Sequence, residues 1–260
     1  MVNGIEAIVV AGTSGENSTL EIHEHAQLVD FSIRKCAGKA KVLVGVGGNN
    51  TSACLKKAKN AAEAGADAVM MTAPYYNKCS KDGMIKHFKT IADEVDVPLI
   101  LYNVPSRTSI GISFEVYRAL HRHPNINGTK EASGDISLIG KIITELGDNF
   151  NLWSGNDDNT IALMSMGAKG VISVASNIIP AEIAQLCSLC GGGNYKAAWE
   201  IFRKYRRLME LMFIDVNPIP VKTAMKLMDM DKGHLRLPLT DIEASKENLI
   251  KAELEKLGLI

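Results

Sequence analysis

The sequence predicts an α/β fold built on a parallel sheet, and three observations point there. Short β-branched, apolar runs alternate along the chain with longer amphipathic stretches. Most of the runs are apolar at nearly every position, which suits parallel strands covered on both faces. The stretches between them repeat apolar residues at three- and four-residue spacing, as helices with one buried stripe do.

In chain order the strand candidates are EAIVVAG, KVLVGVG, ADAVMMTAP, PLILYNVP, INGTKEAS, FNLWSGN and GVISVAS. Helical patterns such as SACLKKAKNAAEAG, DGMIKHFKTIADEV and ISLIGKIITELG lie between them, and Gly65 and Gly147 stop periodic runs where a helix would end. Ser18 and Glu21 are spaced as a capping box, which predicts a helix start leading into HEHAQLVDF. From about Pro180 onward no strand pattern remains. PAEIAQLCSLC, YKAAWEIFRKYRRLMELMF, PVKTAMKLMDM and SKENLIKAELEKLG predict a run of helices. Residues 1–180 are therefore expected to carry the strands, and residues 181–260 a closing helix and a C-terminal helical region.

A closed (β/α)8 barrel needs eight strands. Seven runs are visible, and almost nothing precedes the first. The expectation is a TIM barrel lacking its first βα unit in this chain, so that the runs are strands two to eight. The alternative is an open sheet of seven strands.

Composition bounds the function. The 260 residues are 46% hydrophobic and 22% charged, as in ordinary globular domains. Lys plus Arg is 29 and Asp plus Glu is 29, so net charge gives no reason to expect a nucleic-acid or membrane partner. No apolar run approaches the roughly 20 residues that span a bilayer. Met1 leads into NGIEAIVV without a basic region or cleavage site, and a cytoplasmic location is expected. Five cysteines at irregular spacing read as free thiols, including the C-x-x-C of Cys187 and Cys190, which has no second pair to complete a zinc site. His23 and His25 do not share a helical face, so no metal site is read there. GVGGNN is not a dinucleotide-binding fingerprint, because its third glycine is misplaced.

In barrels, catalytic groups sit at the C-terminal ends of strands. The first run ends in Gly12, Thr13, Ser14, Gly15 and Glu16, which is either a small anion-binding nest of backbone N–H groups or a plain tight turn. The fourth ends in Tyr102, with Arg107 five residues on. These are an acid/base and a carboxylate clamp, or a core tyrosine and a surface arginine. Tyr75 and Tyr76 follow the third run, as packing, interface or site residues. The fifth run puts Lys130 and Glu131 inside an apolar strand. Burial disfavours an ammonium, and a lysine held neutral is a nucleophile toward carbonyls. The bland reading is an edge position or a buried ion pair with Glu131.

Seven segments in order, GTSGENSTL, TAPYYNK, LYNVPSRT, GTKEASGD, SGND, GVISVASN and NPIPVK, resemble the dihydrodipicolinate synthase family. The resemblance covers the chain from Gly4 to the last helix and implies condensation of pyruvate with aspartate semialdehyde in the diaminopimelate route of lysine biosynthesis. It implies that Lys130 forms a Schiff base with pyruvate and that Tyr102 donates and accepts protons. Ser14, where the family usually has threonine, would relay protons between tyrosines. Thr13 and Ser14 would hold the pyruvate carboxylate, and Arg107 the carboxylate of the semialdehyde. Gly155 and Ile172 would line the pocket by their backbones. Tyr76 would cross a dimer interface into the neighbouring site, in a homodimer or homotetramer. No metal or organic cofactor is implied, because the iminium itself is the electron sink.

Two departures from the family carry expectations. The family's opening strand and helix have no counterpart here, so the barrel should stand open beside the GTSGE turn, at a cost in stability and activity. The family's allosteric lysine site keeps His25, Asn49 and Tyr75, but Ile22 and Ala53 replace its usual His and Glu, so feedback by lysine should be weak or absent. The competing readings are a sister aldolase such as N-acetylneuraminate lyase, against which Arg107 argues, and a non-catalytic binding or regulatory paralogue, against which the buried lysine argues.

Overall fold

The computed structural model describes residues 3–260. Six strands form one parallel sheet in sequential order: β1 (Ala7–Val10), β2 (Lys41–Gly45), β3 (Ala68–Thr72), β4 (Leu99–Asn103), β5 (Ile126–Glu131) and β6 (Asn151–Ser154). Helices connect them in order: α1 (Ile22–Cys36), α2 (Thr51–Glu63), α3 (Lys81–Ala92), the short α4 (Pro105–Thr108), α5 (Phe114–Leu120), α6 (Ile136–Leu146) and α7 (Thr160–Met166). The alternation is that of a curled, barrel-like α/β sheet, as the apolar runs predict. The seventh run departs from expectation. GVISVAS does not form a strand; it contributes one bridge, Ser154 to Val171, flanked by Ser154 N–H to Gly170 O and Ile172 N–H to Ser154 O bonds at 2.9 Å each. The other edge of β1 pairs with no strand among the described residues.

The predicted helix start at Ser18 is also corrected. Ser18 lies in a 3-10 turn, Asn17–Thr19, and the capping box is built three residues later by Glu21 and Glu24. Both boxes fit the same spacing rule. The extended backbone of Glu21 (φ −64°, ψ 155°) is what makes it the cap. Gly65 and Gly147 follow α2 and α6 at positive φ, where a Cβ would be strained.

The predicted C-terminal helices form as α8 (Pro180–Gly191), α9 (Tyr195–Leu211), α10 (Ile219–Leu227) and α11 (Ala244–Leu257). They have their own apolar cluster, including Phe202, Leu208, Met209 and Leu254, separate from the core between sheet and helices around Val44, Phe88, Leu101 and Tyr117. A polar clasp ties this region to the loop after β1. Glu16, buried, accepts from Lys222 and from the Arg236 backbone N–H (2.8 Å), while the Arg236 guanidinium grips both Glu24 oxygens at 2.7 Å. Cys187 and Cys190 lie on α8 as free thiols, and burial raises the Cys187 thiol to about 11.

His87 on α3 is buried with its Nδ1 2.8 Å from Thr51 Oγ1 and its Nε2 without a partner. Burial lowers its pKa from 6.5 to about 4. The unfolded chain therefore takes up the proton first as pH falls, and the contribution of neutral His87 is lost as pH drops from 6.5 toward 4. Moving from pH 7 to pH 5 should cost on the order of 1–2 kcal/mol through this group. Chemical denaturation of wild type and His87→Gln at both values measures it. A variant with the same pH slope as wild type refutes the assignment.

Candidate active site

One cavity of about 1660 Å³ runs through the middle of the curled sheet, and the strand-end residues converge on it. The alternation of β4 and β5 decides what enters. Ile100 and Tyr102 face inward with Val9, Leu43, Met70 and Trp153, while Leu99 and Leu101 face the helices. On β5, paired with β4 in the register Tyr102–Lys130 and Asn103–Glu131, Lys130 takes the inward position. Lys130 is 8% exposed, and its Nζ lies 4.4 Å from the centroid of the Tyr102 ring, within cation–π reach. It makes no ion pair among the described residues: Glu131 points to the opposite face of the strand, which removes the buried-pair reading.

Gly155 is required where it stands. A Cβ there would lie 2.7 Å from Ala132 Cβ and 3.2 Å from Lys130 Cε, so only glycine lets the end of β6 close against the lysine. Its N–H donates to Glu131 O at 2.8 Å. Ile172 and Trp153 line the cavity beside it.

The loop after β1 forms the opposite wall. Gly15 N–H bonds Gly12 O and Glu16 N–H bonds Thr13 O, each at 3.1 Å, which coils the GTSGE turn over the cavity. Thr13 and Ser14 line it. Among the described residues the N–H groups of Thr13 and Ser14 have no acceptor, as a carboxylate-binding nest requires. The Ser14 hydroxyl sits 3.1 Å from the side-chain amide of Asn217, and no hydrogen bond joins it to Tyr102. Arg107, on α4, lines the rim, is exposed and has no acidic partner among the described residues.

Tyr76 is the expected site residue that this chain does not bring in. It is 89% exposed, stands at φ 67° and does not line the cavity. The expected effector-site residues are divided. Asn77 ties Asn49 to Tyr75, donating to Asn49 O (3.2 Å) and through its N–H to Tyr75 O (2.9 Å). His25 is instead buried, its Nε2 committed to Gly45 O at 2.9 Å, and burial lowers its pKa.

Two residues escape the sequence reading. Asn217, buried before α10, reaches the cavity from the far end of the chain, and only its place in NPIPVK marks it. Asp157, buried after β6, accepts from the N–H groups of Val174 (3.1 Å) and Ala175 (2.9 Å) and braces the segment carrying Ile172, its carboxyl pushed up by burial. A carboxylate in SGNDD reads as surface because its acceptor role depends on backbone brought close only by folding.

A family profile described as "Dihydrodipicolinate synthetase family" matches residues 1–257. The 4-hydroxy-tetrahydrodipicolinate synthase of Thermoanaerobacter sp. (strain X514) is 43% identical over 258 residues, 99% of this chain and 87% of that protein. The crystal structure of dihydrodipicolinate synthase from Aquifex aeolicus superposes with a TM-score of 0.97 at 40% identity, covering 99% of this chain and 88% of that one. The chloride-inhibited dihydrodipicolinate synthase of Acinetobacter baumannii, complexed with pyruvate, gives 0.97 at 36% identity, covering 100% and 89%. The match runs through every segment that lines the cavity, and the chain belongs to the dihydrodipicolinate synthetase family.

Proposed function

We propose that this chain condenses pyruvate with aspartate semialdehyde to 4-hydroxy-tetrahydrodipicolinate, through a Schiff base on Lys130. The observation that carries the reading is one amine, almost sealed from water, inside a cavity and against a tyrosine from the neighbouring strand. The Lys130 amine adds to the pyruvate ketone, and Tyr102 passes the proton that leaves with the water. The iminium acidifies the methyl group, and loss of a proton gives an enamine. Its carbon bonds to the semialdehyde carbonyl, and attack by the substrate's own amine on the imine carbon closes the ring and frees Lys130.

The supporting groups are matched to charge. Pyruvate's carboxylate fits the free N–H groups of Thr13 and Ser14, with Gly155 and Ile172 forming the wall behind the lysine. We give Ser14, its hydroxyl held by Asn217, the role of proton relay between the tyrosines that the family resemblance implies. Arg107 fits the second carboxylate, because an unpaired guanidinium at the rim is an open bidentate donor. The exposure of Tyr76 in a left-handed backbone position supports a homodimer or homotetramer in which it enters the site of a second copy. We read the scaffold as a (β/α)8 barrel lacking its first βα unit in this chain, supported by a β1 edge that pairs with no strand among the described residues and by the breadth of the cavity, with residues 1–180 as the barrel and 181–260 as its closing helix and helical region. No helix among the described residues is long and apolar enough to cross a membrane, and we assign the activity to the cytoplasm.

Borohydride reduction in the presence of pyruvate should fix a stable adduct on Lys130, found by peptide mass mapping and abolished by Lys130→Ala. No adduct in the wild-type chain sinks the Schiff-base reading. Arg107→Ala should keep the pyruvate adduct while losing about 10–100-fold in kcat/KM for the semialdehyde, the worth of a charge-assisted bidentate bond. An unchanged kcat/KM removes Arg107 from the site. Millimolar lysine should inhibit turnover weakly or not at all, since His25 is spent on Gly45 and Ala53 offers no carboxylate to an ammonium. A sub-millimolar inhibition constant contradicts this.

A further inference from the structure

We infer that the buried Asn103–Glu131 pair is the positioning element that decides which residue of β5 enters the cavity, and so holds Lys130 against Tyr102. The inference rests on the reading of Lys130 as the imine-forming amine and names what keeps it there.

The need for such an element is visible lower in the same strand pair. Leu99 pairs with Ile126 but Ile100 pairs with Gly128, so Asn127 is an extra residue, a β-bulge. Gly128 continues the ladder with Asn151, and a Cβ on it would lie 2.1 Å from Asn151 O. A bulged pair has a second register one residue away, and a one-residue slip moves every side chain to the other face. Here the slip exchanges Lys130 for Glu131 in the cavity. Gly128 already disfavours the slip on the β6 side, and against β4 the difference between registers must come from above the bulge.

Asn103 and Glu131 supply that difference. They are paired in the ladder one step beyond Tyr102 and Lys130, facing the helices, and each is 1% exposed. The Glu131 carboxyl accepts from Asn103 Nδ2 at 3.0 and 3.1 Å, from the Tyr117 hydroxyl at 3.0 Å and from Ser133 N–H at 2.8 Å. Asn103 Oδ1 accepts from Ile112 N–H at 2.9 Å, which fixes the amide's orientation and ties in the loop that follows Arg107. No cation among the described residues takes part, so the carboxylate depends on these donors. A carboxylate out of water without donors is costly, and each donor left without an acceptor adds its own penalty. Only the register that puts Lys130 inward satisfies all of them. Two apolar side chains would pack in the same space but would tolerate either register.

The test reverses the donor and acceptor. Asn103→Asp sets carboxylate against carboxylate. Asn103→Asp with Glu131→Gln restores one amide donor between the positions, pointing the other way, and leaves an acceptor for Ile112 N–H. The single variant should lose about 100-fold in kcat and in the rate of pyruvate-adduct formation, as misplacement by about an ångström does, with KM for pyruvate moved less than about threefold. The double variant should recover at least about tenfold of that loss. A folded Asn103→Asp chain within about threefold of wild type in kcat overturns the inference, as does a double variant no faster than the single one. If Asn103→Asp does not fold, Asn103→Ser removes the amide without adding charge, and a rate within about threefold of wild type there overturns the inference equally. An adduct on wild type with unaffected variants removes only this inference. No adduct on wild type removes the Schiff-base reading and this inference with it.

Discussion

The pairing of β4 with β5 is the constraint on which the rest of the molecule depends. One cross-strand step places Tyr102 and Lys130 on the inner face, and the next places Asn103 and Glu131 on the outer face. The two layers differ in kind. Inside, an amine rests on an aromatic ring and borders open space; outside, a carboxylate is enclosed by an amide, a phenol and a backbone N–H. The inner pair has room to react because the outer pair has none to move. Tyr117 extends this rigidity to α5, packing edge-on against Phe150 at 5.9 Å between centroids while its hydroxyl holds Glu131.

The remaining elements complete the site from both ends of the chain. The GTSGE turn follows the first strand, yet its geometry is held by residues some two hundred positions away. Ser14 meets Asn217, and Glu16 meets Lys222 and Arg236. The C-terminal helices are therefore part of the cavity's wall and not only a covering. Glu16 itself stands at φ 53°, a left-handed position uncommon for a side chain of its size, and its carboxylate is fully engaged in return.

How much of this could be read beforehand depended on whether a residue's meaning is local. Six of the seven strand runs follow from unbroken apolar composition and the four C-terminal helices from three- to four-residue spacing, because both are properties of neighbouring residues. Lys130 stands out for the same reason: a lysine in an apolar strand is anomalous wherever the strand goes. Non-local roles were not legible. GVISVAS has strand composition, yet only Val171 joins the ladder, through its bridge to Ser154. Ser18 and Glu21 match a capping box by residue type where Glu21 and Glu24 match it only by spacing, yet the extended backbone at Glu21 makes the second the cap. Asn217 and Asp157 acquire their partners by folding. Glu131 was legible as buried but not as facing away from Lys130, because adjacency in sequence suggests an ion pair and strand alternation forbids it.

The distribution of apolar contacts explains why such a site is tolerated. In a closed eight-strand barrel, layers of side chains fill the interior. Here the inner apolar cluster is small, built around Ala68, Met70, Ile100, Tyr102 and Val104, and a cavity of about 1660 Å³ lies beside it. The larger clusters lie outside the sheet, between strands and helices and among α8 to α11. The larger share of the apolar packing is thus in the shell, where alternation puts Leu99 and Leu101, and the smaller share on the inner face, where it puts Tyr102. A buried lysine weakens a packed core because it displaces apolar contacts and desolvates a charge. Lys130 instead borders open cavity on one side, with the Tyr102 ring against it on the other. The outer polar pair acts beside this: Gly128 fixes β5 against β6, and Asn103 with Glu131 fixes it against β4 at the level of Lys130.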